Sequence, residues 1–91
     1  MIIQPCTAHP GKINLLGRLN TTPDGPALSN LKKMKRVSDF KEDIDLGMVR
    51  FKKEGTSVTV FLNGRIVVRE AENEEQAKKI LKEVEKFIAK E

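Results

Sequence analysis

One stretch of this sequence has the residue types and spacing of a reactive or metal-binding unit: Cys6-Thr7-Ala8-His9. A thiolate and an imidazole so placed could form half of a Cys2His2 zinc site completed by a second copy. They could also form a nucleophile and its base. Neither chemistry is well supported by the surroundings. Structural zinc normally finds all its ligands in one chain. Pro5 and Pro10 bracket the pair in a loop that fixes no geometry, and no third residue is evident to orient the imidazole. The plain reading is a lone thiol and a lone imidazole. A second cluster, Asp39, Glu42, Asp43 and Asp45, offers oxygen ligands for a hard cation. It lies in a polar stretch whose plain reading is a solvated loop, with metal binding the minor one. The six glycines are scattered among turns, and none belongs to a phosphate-cradling loop. The expectation is therefore no enzyme, no cofactor and no bound metal.

Positive charge is the other chemical feature. The net charge is +4, and Lys32, Lys33, Lys35 and Arg36 form a basic run. Such a run is either a solvated helix face or a set of phosphate contacts. At 91 residues, with 38% hydrophobic and 33% charged residues, the chain reads as one domain with a modest core. No apolar run approaches membrane-spanning length. Residues 1–11 lack the basic and apolar regions of a secretory signal. A single cysteine excludes an internal disulfide, and the expected compartment is the cytoplasm. There is no Tyr or Trp and there are four Phe, so large aromatic clusters of the kind that line sugar or base sites are missing.

These residues must be positioned by a small set of elements. Residues 1–11 show no period and read as an extended or loop segment. Residues 12–20 alternate as a strand. Asp24 is a plausible N-cap and Pro26 suits a first helical turn, so a helix is expected over 26–37 with Leu28, Leu31 and Met34 on its apolar stripe. Residues 38–45 read as a loop anchored by Phe40. Strands are expected over 46–53, 57–62 and 65–71. Gly55 marks the first turn between them. Asn63-Gly64 marks the second, where a type I′ turn would need φ > 0 at both residues. The last helix opens at Asn73, whose spacing to Gln76 matches a capping box. Ala77, Ile80, Leu81, Val84, Phe87 and Ile88 follow the spacing of a packed face.

The expected fold is α+β: a single antiparallel sheet of about four strands in the order β-α-β-β-β-α, with two helices on one face. Alternation sends Ile13, Leu15, Leu19, Val49, Phe51, Val58, Val60, Leu62, Ile66 and Val68 toward the helices. The opposite face then carries Asn14, Leu16, Arg18, Met48, Arg50, Lys52, Ser57, Thr59, Phe61, Arg65, Val67 and Arg69. A merely solvated face would not need Leu16, Met48, Phe61 and Val67. Basic and apolar side chains mixed on one face mark a candidate binding surface. An alternative is that the N-terminal segment folds across this face and covers Leu16 and Val67.

The series INLLGRL at 13–19, MVRFKK at 48–53, VTVFLNGRIVV at 58–68 and EEQAKKILKEVEKFI at 74–88 resembles one repeat of the TATA-binding protein in order and rough spacing. That resemblance implies a DNA-facing sheet. Asn14 stands at a groove-contacting position, Phe61 at a wedge position, and Ile44 near the other wedge. Arg69 and Glu70 replace small residues of that pattern. The family has two tandem repeats, so one repeat would require a homodimer paired edge to edge. Pro5-Cys6, Pro10-Gly11-Lys12, Lys52-Lys53-Glu54-Gly55 and the helix from Asn73 also resemble a small module of archaea and anaerobic bacteria. That module stands alone or precedes an iron-sulfur cluster domain. The resemblance supplies neither the module's own role nor, with one cysteine here, a cluster ligand set.

The expectation from these readings is a non-enzymatic binding protein. Its site is Asn14, Arg18, Met48, Arg50, Lys52, Thr59, Phe61, Arg65, Val67 and Arg69, and its partner is nucleic acid. The alternative is an interaction module docking to an iron-sulfur or redox protein. No membrane association is expected, and a homodimer is compatible with either reading.

Overall fold

The computed structural model describes residues 2–5, 11–20, 22–43 and 45–89. They form one antiparallel sheet of six strands, not about four. The strands are β1 (Ile2–Pro5), β2 (Ile13–Arg18), β3 (Val37–Asp43), β4 (Met48–Lys53), β5 (Thr56–Phe61) and β6 (Arg65–Ala71). They lie side by side in the order β1-β2-β6-β5-β4-β3. Two helices, α1 (Gly25–Asn30) and α2 (Glu74–Ala89), complete the α+β fold.

Both extra strands are edges. β1 pairs with β2, setting Ile2 against Leu16 and Ile3 against Leu15. Residues 2–5 thus extend the sheet in its own plane and do not cross the open face. β3 occupies residues expected to form a loop. Its register on β4 slips between Ser38 and Lys41, and Asp39 in this bulge has φ +52°. The slip interrupts the alternation by which a strand is recognised.

The first helix is shorter than expected. Asp24 caps it, its Oδ1 accepting the Ala27 amide at 2.8 Å. Regular α-helix ends at Asn30, a 3-10 turn covers Leu31–Lys33, and Met34 is already extended. Leu28, Leu31 and Met34 are nevertheless all buried. Their spacing of three suits a 3-10 turn, where i and i+3 eclipse, as well as it suits an α-helix.

The two hairpin turns exchange the roles expected of them. Lys53 pairs with Thr56, so Glu54-Gly55 is a two-residue loop with φ +53° and +82°. This is the doubly left-handed turn. At Asn63-Gly64 only Gly64 is left-handed, at +89°. The Gly64 amide donates to the Phe61 carbonyl at 3.0 Å, giving a three-residue loop over Leu62, Asn63 and Gly64. Asn63 Oδ1 accepts the Arg65 amide at 2.9 Å. Leu62 therefore leaves the helix-facing row and is 40% exposed.

The remaining helix-facing residues behave as alternation requires. Leu15, Leu19, Val49, Phe51, Val58, Val60, Ile66 and Val68 are buried, and Ile13 is partly buried against them. From α2, Ala77, Ile80, Val84 and Ile88 close the core, with Leu81 and Phe87 packed at its margin. Phe40 of β3 stacks on Phe51, ring centroids 6.1 Å apart. At the start of α2, Asn73 Oδ1 accepts the Gln76 amide and Gln76 Oε1 accepts the Glu72 amide. The capping box is thus reciprocal but reaches one residue further back than expected. Among the described residues no helix is long and apolar enough to cross a membrane.

Candidate functional site

The candidate site is the sheet face turned away from the helices. Strand register arranges it in rows. One row crosses all six strands: Ile2, Leu16, Val67, Thr59, Arg50 and Lys41. Beside it run Arg69, Ser57, Lys52 and Ser38. On its other side Arg18 stands opposite Arg65, and Phe61, Met48 and Asp43 continue toward the β3 edge. None of the twelve side chains assigned by alternation to this face is buried. Leu16, Met48, Phe61 and Val67 are half-buried, while Arg18, Arg50, Lys52, Arg65 and Arg69 are exposed.

Nine of the ten expected site residues lie in these rows. Met48, Arg50, Thr59, Phe61, Val67 and Arg69 line one hollow of about 300 Å³ over β4, β5 and β6. Arg18, Arg65 and Val67 line a neighbouring hollow toward β1, and Lys52 borders a third toward β3. Asn14 is different. It sits where β2 shifts register against β6, and its Oδ1 accepts the Glu70 amide at 3.1 Å. Glu70 is left-handed there, with φ +63°. Asn14 thus supports a β-bulge, and its carbonyl oxygen is engaged within the fold.

Six cations share the face: Arg18, Lys41, Arg50, Lys52, Arg65 and Arg69. Among the described residues none of them forms an ion pair. Arg65 instead lies over the Phe61 ring, its guanidinium carbon 5.9 Å from the centroid. The ion pairs occur elsewhere: Arg36 with Glu54, Lys53 with Glu83, and Lys78 with Glu74. Arg36 hydrogen-bonds the Glu54 carboxylate and so holds its pKa below the ordinary glutamate value.

The residues that opened the question of reactivity are placed otherwise. Cys6, His9 and Ile44 lie outside the described residues. Asp39 sits in the β3 bulge, and Asp43 Oδ1 accepts the Leu46 amide at 3.1 Å. Among the described residues no three His, Cys, Asp or Glu side chains are grouped so as to hold a metal ion. Of the basic run, Arg36 is paired with Glu54 and the Lys35 carbonyl accepts from Lys53. Lys53 itself escaped the sequence reading. It is 3% exposed and continues the inward alternation of Val49 and Phe51, which was the available signal.

The chain matches no family model, no curated protein and no solved structure. Both resemblances noted above therefore rest on motif order alone.

Proposed function

We propose that this chain is a non-enzymatic binding protein whose open sheet face takes a nucleic-acid strand. The observation that carries the proposal is six cations without ion-pair partners among the described residues, set around half-buried Leu16, Met48, Phe61 and Val67. Guanidinium and ammonium groups meet phosphates, and the apolar members meet sugar and base faces. Among the described residues Phe61 is the one aromatic ring on the face. It offers a single stacking platform, so affinity should come mainly from phosphate neutralisation.

Salt dependence tests this. In fluorescence anisotropy with a labelled single-stranded oligomer and a labelled duplex, log K should fall linearly with log salt. The slope should approach about −0.7 per phosphate neutralised on a single strand and about −0.9 on a duplex. Binding that is insensitive to salt, or absent at low salt, would sink the proposal. Salt-insensitive binding to a protein would favour the alternative, an interaction module for an iron-sulfur or redox partner. A specific apolar feature supports that alternative: Leu46 and Leu62 are 65% and 40% exposed near one end of the sheet. A homodimer built by edge pairing would have to run through β1 or β3, since β1 occupies the edge of β2.

A further inference from the structure

On β2 and β6 two arginines face one another directly, Arg18 opposite Arg65. Like charges in directly opposed positions of an antiparallel pair are destabilising. Among the described residues no carboxylate offsets this pair. Both side chains are exposed, and neither has an ion-pair partner among the described residues. The Arg65 guanidinium leans toward Phe61 on the next strand. The two arginines also rim a hollow of about 310 Å³, lined on its apolar side by Ile2, Leu16 and Val67.

We infer that Arg18 and Arg65 form a phosphate seat, which an anion completes by cancelling their mutual repulsion. Opposed residues in an antiparallel pair have Cα atoms about 4.5–5.5 Å apart, a span that two guanidinium forks readily share on one phosphate group. The apolar lining of the hollow suits a phosphate ester better than a bare ion, since an ester carries carbon that can cover Leu16 and Val67. The inference deepens the nucleic-acid reading by placing one phosphate, and it rests on that reading only for the source of the phosphate. A free phosphomonoester presents the same chemistry.

Thermal unfolding and titration together test the seat. The wild-type chain, Arg18→Gln and Arg65→Gln are melted in chloride and in inorganic phosphate at matched ionic strength, with Lys82→Gln on the exposed side of α2 as a control outside the sheet face. The wild type and the control should gain several degrees in phosphate over chloride. Both arginine variants should lose that gain. In chloride each should melt no lower than the wild type, because one member of a repelling pair has gone. The seat is overturned if the wild type gains nothing from phosphate, or if the arginine variants gain as much as it does. Titration with thymidine monophosphate and with a thymidine oligomer then separates the sources. An oligomer that binds all forms equally overturns the seat and leaves the nucleic-acid reading standing. A phosphate gain confined to wild type and control, with no oligomer binding, supports the seat and overturns that reading.

Discussion

The two faces of this sheet are made by the same strands and treat positive charge in opposite ways. On the helix side Lys53, the one buried cation among the described residues, is fully engaged. Its Nζ lies 2.7 Å from a Glu83 oxygen and donates to the Lys35 carbonyl at 3.0 Å. A charge removed from water must be paired and hydrogen-bonded, and here it joins β4 to α2 and to the turn after α1. On the open side six cations have no ion-pair partner among the described residues. Water solvates them at little cost, so the fold gains nothing from pairing them. The difference separates charge that holds the structure from charge that is available to a partner.

The comparison breaks most visibly in the core. Ile66→Ala removes a fully buried side chain from β6. It should cost about 2–5 kcal/mol in urea unfolding, with affinity per folded molecule unchanged. The buried cation gives the next effect. Glu83→Ala leaves the Lys53 charge with only a carbonyl partner and should cost about 1–3 kcal/mol. This is below the figure for a fully buried pair because Glu83 is 34% exposed. Lys53→Met should be milder, within about 1 kcal/mol, since an apolar side chain suits the site and Glu83 can turn to water. A larger loss in Lys53→Met than in Glu83→Ala would mean that the lysine is itself a source of stability.

The open face should respond in the reverse sense. Arg50→Gln and Arg69→Gln should each move stability by less than about 0.5 kcal/mol. Each should also reduce the magnitude of the salt slope of nucleic-acid binding by about 1. The smallest effect lies at the Glu54-Gly55 turn. Arg36 lowers the Glu54 pKa in the folded chain. The stabilisation is therefore complete above the unfolded value of about 4.5 and is lost as pH falls through the folded value below it. Arg36→Gln should lose this small stabilisation at neutral pH and match the wild type in strong acid, so the stability profile flattens on its acid side below about pH 5. An unchanged acid slope would mean that the pair is not maintained in solution.

The central strands and α2 were legible because their patterns are strict. The alternation in β4, β5 and β6 assigned both faces, and the i, i+3, i+4 stripe of α2 assigned its buried side. The edges were not legible. β1 has four residues and ends at Pro5, too few to show a period. β3 carries Asp39, Lys41, Glu42 and Asp43 and is broken by a bulge, so its composition resembles a loop. Charge and bulges are also what keep an exposed edge from pairing with other chains, and the features that protect β3 are those that hid it. Asn63-Gly64 misled for a different reason. Asn-Gly permits a doubly left-handed turn without requiring one, and strand register placed that turn at Glu54-Gly55. At the candidate site, alternation found the face. It could not show that the Asn14 carbonyl is engaged by a bulge, because that contact crosses 56 positions of sequence.

The most direct test is a two-dimensional NMR titration of labelled protein with a short oligonucleotide, single-stranded and then duplex, at low and at moderate salt. The account predicts shifts centred on Arg18, Arg50, Thr59, Phe61, Arg65 and Arg69, weakening as salt rises, with α1 and α2 silent. Shifts centred on the exposed surface of α2, or a spectrum unmoved at low salt, would contradict it.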